Sequence, residues 1–81
     1  MSEDLDARKA MLDQLKTIRN SIFVLEGLAD ETAQMASEIS DRFESEVWRE
    51  IARRHRVKAL ELQGQYAALS TEYTARYRSE P

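Results

Sequence analysis

The chain contains no cysteine. That removes disulfides and thiolate metal sites, and it fits a reducing, cytoplasmic setting. Proline occurs once, as the last residue, Pro81, where it interrupts nothing. Glycine occurs only at Gly27 and Gly64. No apolar run approaches the roughly 20 residues needed to span a bilayer. The acidic start Met1-Ser2-Glu3-Asp4 lacks the basic and apolar regions of a secretory leader. The one histidine, His55, has no second histidine or Glu-x-x-His spacing beside it, so a di-iron bundle site is not expected. No Gly-rich phosphate loop, zinc spacing or nucleophile motif is present. The expectation is therefore no enzyme, no cofactor, no metal and no small-molecule substrate.

What is present is helical. Ala, Leu, Glu, Arg and Gln dominate, and 33% of the residues are charged, a composition that favours helix over sheet. An apolar stripe runs Met11, Leu15, Ile18, Ile22, Leu25, Ala29, Thr32, Ala36, Ile39, Phe43. Its steps alternate between four and three, the spacing of a coiled-coil seam. Ser2 is a candidate N-cap, with Glu3 and Asp4 in the first turn, where the helix dipole favours acids.

Two places compete for the end of this first helix. Gly27-Leu28-Ala29-Asp30 reads as a Gly C-cap followed by an Asp N-cap. Asp41-Arg42-Phe43-Glu44 reads as a capping box. The stripe passes through Gly27 without losing phase, and after Phe43 it shifts to steps of four through Val47 and Ile51. The break is placed at the second site. The expected organisation is one helical domain over 1–81, with helix 1 at about 3–37, a turn at about 38–41 and helix 2 at about 41–78. The second helix should present Trp48, Ile51, Ala52, His55, Ala59, Leu62, Tyr66, Leu69, Tyr73 and Tyr77 to the first, with Arg76 and Arg78 at its C-terminal end.

The fold class is thus all-α: an antiparallel, coiled-coil-like hairpin of two helices, expected to dimerise into a four-helix bundle. A three-helix bundle with breaks near Gly27 and His55 is the alternative. With the turn near Ile39, facing residues have numbers totalling about 78. That sets Leu5 against Tyr73, Leu12 against Tyr66 and Gly27 against Ile51. It also sets Ala29, Ala33 and Ala36 against the Trp48 and Phe43 region, and brings Glu26 near His55.

Ser21-Ile22-Phe23-Val24-Leu25-Glu26-Gly27-Leu28 holds four large apolar residues in a row. On a helix these point in four directions, and one partner helix covers one stripe. Val24, Leu28 and Met35 form a second stripe roughly 110° from the seam by the helical period. Phe23 lies on the other flank with Leu5 and Leu12. Phe23, Val24, Leu28 and Met35 are the expected protein interface, either with a second copy of the chain or with another protein.

The net charge is −3, unevenly spread. Residues 1–40 hold 4 basic and 8 acidic side chains, and residues 41–81 hold 8 basic and 7 acidic. Arg42, Arg49, Arg53 and Arg56 fall within about 60° of one another on helix 2. Arg54 and Lys58 lie on another side. The four-arginine stripe is a candidate contact for phosphate or for an acidic partner protein. No aromatic residue interleaves it, and Glu46 and Glu50 lie at pairing distance from Arg49 and Arg53. Nucleic acid is the weaker reading. The function expected is that of a small protein-binding regulator, adaptor, chaperone or inhibitor, with a nucleic-acid-associated regulator as the alternative.

Overall fold

Asp41 starts the second helix by two bonds. Its Oδ1 accepts from the Glu44 backbone N–H at 2.8 Å, and its carbonyl accepts from the Ser45 N–H at 2.9 Å. The first is the N-cap bond that satisfies a donor the helix itself leaves unpaired. In the computed structural model, which describes residues 2–77 and the side chains of 3–77, the two elements are α1, Ser2–Glu38, and α2, Arg42–Tyr77. Only residues 39–41 between them are non-helical. The side chain of Ser2 and residue Arg78, expected as cap and terminal cation, lie outside the described residues.

The helices pack on each other as a hairpin. Neither is broken at Gly27 or near His55, which disposes of the three-helix alternative. Gly27 sits inside α1 with ordinary helical backbone. It does not meet Ile51 closely: a Cβ added there would find nothing within 4 Å.

The seam is made of small residues. On α1 the buried positions are Leu15, Ala29, Thr32 and Ala36; on α2 they are Ser45, Ala52, Ala59 and Tyr73. Apart from Thr32, all are spaced by seven or fourteen within their helix, which keeps them on one line of contact. Met11, Ile18, Ile22 and Leu25, with Trp48, His55, Leu62, Tyr66 and Leu69, are partly buried beside them. Helix axes approach to about 8–10 Å depending on the side chains between them, and alanine permits the near end of that range.

Contact at the turn is direct. The Ser45 hydroxyl, in a residue only 6% exposed, donates to the Ala36 carbonyl at 2.8 Å. Thr32 satisfies its own hydroxyl on the Leu28 and Ala29 carbonyls. At the open end Arg8 Nε donates to the Tyr73 hydroxyl at 2.8 Å, and its guanidinium lies 5.8 and 5.9 Å from the Tyr73 and Tyr77 ring centres. Among the described residues no buried side-chain polar atom lacks a partner.

Several expected pairings are displaced. Arg8, not Leu5, meets Tyr73, and Ser45, not Phe43, meets Ala36. Both observed pairs have numbers totalling 81 rather than 78, a shift of about one helical turn. The three-residue turn is centred on Ser40. Leu5 and Leu12 are consequently exposed. Glu26 accepts from Gln63 Nε2 at 3.0 Å, about two turns along α2 from His55. Phe43 is 80% exposed and Val47 is also exposed: both lie off the line that runs back from Ala59 and Ala52 to Ser45.

The molecule is a flat rod of 61 × 20 × 14 Å with a radius of gyration of 18.2 Å. A compact globule of this length would have a radius near 12 Å. Among the described residues no large side chain is fully buried. One layer of two helices covers one stripe per helix and leaves two broad faces open.

Candidate protein-interaction surfaces

Cross-helix contacts identify the two faces. One face carries the Glu26–Gln63 hydrogen bond and the Asp30–Arg56 ion pair at 3.6 Å. Between them lies a shallow groove of about 380 Å³ over Ala29, Ala59 and Leu60. A second hollow on the same side is lined by Ala33, Arg49, Ala52, Arg53 and Arg56. By the helical period of about 100° per residue, Leu5, Leu12 and Phe23 of α1 and Arg42 of α2 belong to this side. We call it the arginine face.

The opposite face holds a groove of about 650 Å³, lined by Thr17, Asn20, Ser21, Val24, Leu25, Lys58 and Leu62. Its floor is the apolar edge of the seam. Leu28 and Met35 follow Val24 at steps of four and seven, so they share its side of α1; Val47 is about three turns from Lys58 and shares its side of α2. All four apolar side chains are exposed. We call it the valine face. Toward the open end it turns polar, through Gln14, Gln65 and Glu72 beside Ile18, Ala68 and Leu69.

The four residues expected as one interface are therefore divided. Val24, Leu28 and Met35 lie together on the valine face, with Val24 57% exposed. Phe23, 78% exposed, projects from the arginine face beside Leu60, which is level with it on α2. Exposed apolar residues that sequence reasoning did not assign to an interface include Val47, expected in the seam, and Leu60. Both are large, apolar and exposed. Extending the seven-residue repeat of Ala52 and Ala59 toward the turn reaches Ser45 and leaves Val47 outside the seam, so a signal was available for it.

The four-arginine stripe flanks the rod instead of running along its back. Arg56 reaches across to Asp30, and Arg53 is bound to Glu50 at 3.0 Å on its own helix. No ion pair involves Arg42 or Arg49 among the described residues. Exposed pairs of this kind contribute about 0–1 kcal/mol, so they shape the local charge more than the stability. Arg8 is occupied with Tyr73 and Tyr77 at the open end.

Among the described residues no three of His, Cys, Asp and Glu are gathered to hold a metal ion, and no helix is long and apolar enough to cross a membrane. No protein-family model, no curated protein and no solved structure matches the chain.

Proposed function

We propose that the chain is a protein-binding module of the regulator, adaptor, chaperone or inhibitor kind. Its first partner is a second copy of itself, the two hairpins forming a four-helix bundle. The observation that carries this is surface area. The hairpin exposes 6406 Å², whereas a compact monomer of 9.4 kDa exposes about 5,000 Å². The excess, about 1,400 Å², exceeds the roughly 800 Å² that each partner contributes to an interface of standard size. Exposed apolar side chains concentrate on the two broad faces, where a second layer of helices would cover them. Two-fold dimers are the commonest soluble oligomers. The cytoplasm is the proposed location, on the strength of the missing cysteine. The arginine face then remains for an acidic protein partner, with Phe23 and Leu60 as its apolar centre.

Dilution tests the self-association. Each tenfold fall in concentration removes about 1.4 kcal/mol of linked stability from a folded dimer. For a unit of 150–250 residues that is about 3–6 °C in the unfolding midpoint. The expected result is a midpoint that falls with dilution, a dimer mass by light scattering, and a monomer for Val24→Glu that keeps its helix content. A concentration-independent midpoint together with a monomer mass at high micromolar concentration would remove the dimer.

A further inference from the structure

We infer that the second copy docks on the valine face, and that the two hairpins lie with their turns at the same end. The inference rests on the self-association proposed above and adds the face and the orientation.

The exposed large apolar side chains of the valine face are not spread along the rod. Val24, Leu28, Met35 and Val47 all lie in the half nearer the turn, while the other half presents Gln14, Gln65 and Glu72 beside Ala68 and the partly buried Ile18 and Leu69. Two orientations bring valine faces together with two-fold symmetry. If the axis runs along the rod, the turns coincide and patch covers patch over the full length. If the axis crosses the rod, the turns point apart. Full overlap then sets each apolar half against the other copy's polar half. Sliding the copies until the patches meet restores the apolar contact but halves the overlap. The whole face is about 1,200 Å² from its 61 × 20 Å outline, and half of that falls below the roughly 800 Å² per partner of a standard interface.

Charge separates the same alternatives. On the valine side of the half nearer the turn, by the helical period, α1 carries Glu31 and Glu38 and no basic residue. On the same side α2 carries Arg54 and Lys58 against one acid, Glu44. With the turns together, α1 of each copy lies against α2 of the other, so acidic helix faces basic helix at both contacts. Glu31 comes within about one helical turn of Arg54 of the second copy. With the turns apart, α1 lies on α1 and α2 on α2. In the half-overlapped form each charged segment then meets its own like. Complementary potentials select orientation and like-charge contacts oppose it.

The chain has no cysteine, so single labels are clean. Spin labels are placed at Ser40→Cys in the turn and, separately, at Lys9→Cys near the open end. Distances between copies are measured by pulsed electron resonance. Turns together predicts two short distances, each below about 30 Å from interaxial spacings of 8–10 Å plus label length. Turns apart makes at least one of them long: at full overlap the turns stand about a rod length apart, 61 Å, and at half overlap the open ends stand farther still. A dimer with either distance long overturns the orientation and leaves the self-association standing. Absence of any distance between copies, with a monomer mass, overturns the self-association itself. The face is read separately, by the dimer dissociation constant of two variants at exposed positions. Val47→Glu is expected to weaken it at least a hundredfold, and Leu60→Glu by less than threefold. The reverse ranking would move the interface to the arginine face.

Discussion

Ser45 is the most informative single residue of the hairpin, because one hydroxyl closes two local problems. The last carbonyls of α1 have no helical N–H to receive, since the helix stops at Glu38. Ala36 is among them and is only 2% exposed, so water does not readily serve its carbonyl. Ser45 supplies the donor from the other helix at 2.8 Å. Ser45→Ala removes that donor and leaves a buried acceptor unpaired, which costs about 1–3 kcal/mol. Alanine's better helix propensity returns about 0.5 kcal/mol. The net expectation is a loss of about 0.5–2.5 kcal/mol. Ser40→Ala, at an exposed turn residue, is the control and should lie within about 0.5 kcal/mol of the parent. Urea titrations followed by helix signal, at one fixed chain concentration, measure the difference. The slope against urea should not change, because the surface exposed on unfolding does not. If Ser45→Ala and Ser40→Ala unfold at the same urea concentration, the bond to Ala36 is not what closes the hairpin and the reasoning fails.

Other perturbations probe the seam and the surface. Ala52→Leu inserts three carbons where the helices are closest and should cost about 1–3 kcal/mol, read by the same titration. Ala33→Leu should cost less, since Ala33 borders an open hollow. Gly27→Ala and Gly64→Ala should each stabilise by roughly 0.5–1 kcal/mol, because both sit in helix interiors and an added Cβ meets nothing within 4 Å; a loss at Gly27 would mean something covers that surface. At physiological salt, duplex DNA and single-stranded RNA should bind no more tightly than micromolar, in keeping with a net charge of −3. Sub-micromolar, steeply salt-dependent binding, abolished by Arg49→Glu combined with Arg53→Glu, would move the arginine stripe to a phosphate role.

The two-helix architecture was legible because periodicity survives local ambiguity. Gly27 looks like a stop, yet Ile22, Leu25, Ala29 and Thr32 stay in phase across it, and the continuous α1 follows the phase. The break was legible at Asp41 because a capping side chain states its purpose chemically. Of the expected box, Asp41 makes its bond to Glu44; a returning bond from the Glu44 carboxylate is not among those of the described residues. Register was not legible to within a turn. It depends on the path of residues 39–41 and on the helix separation, neither of which is written in the apolar pattern. Ser45 was missed because a serine was counted as polar, although a buried hydroxyl with a partner is as much a seam residue as an alanine. Phe43 and Val47 were expected in the seam for the opposite reason, because apolar character was taken for burial, although more than half of a folded surface is itself apolar. The interface residues were individually legible as exposed and apolar. Their division between the two flanks of α1 was legible from the helical period, whereas Asp30–Arg56 and Glu26–Gln63 were needed to fix which flank of α2 each one borders.

The small seam and the exposed patches have one cause. A helix buries a stripe about 100° wide against a single neighbour. In this chain the centre of that stripe, around the middle of the rod and the turn, goes to Ala29, Ala36, Ser45, Ala52 and Ala59. These side chains are small, and the two helices form a single layer 14 Å thick. The larger apolar residues stand at flanking positions, Val24, Leu28, Met35 and Val47 on one side, Phe23 and Leu60 on the other. A wider seam of leucines would draw such flanks partly under the neighbouring helix. A close seam leaves them standing on flat faces of helix, each about 20 Å wide, which is the width a second pair of helices presents. Alanine at the seam therefore does more than permit packing within the hairpin: it leaves apolar surface outward on flat faces of the width a second helical layer would need, and the proposed self-association rests on that surface.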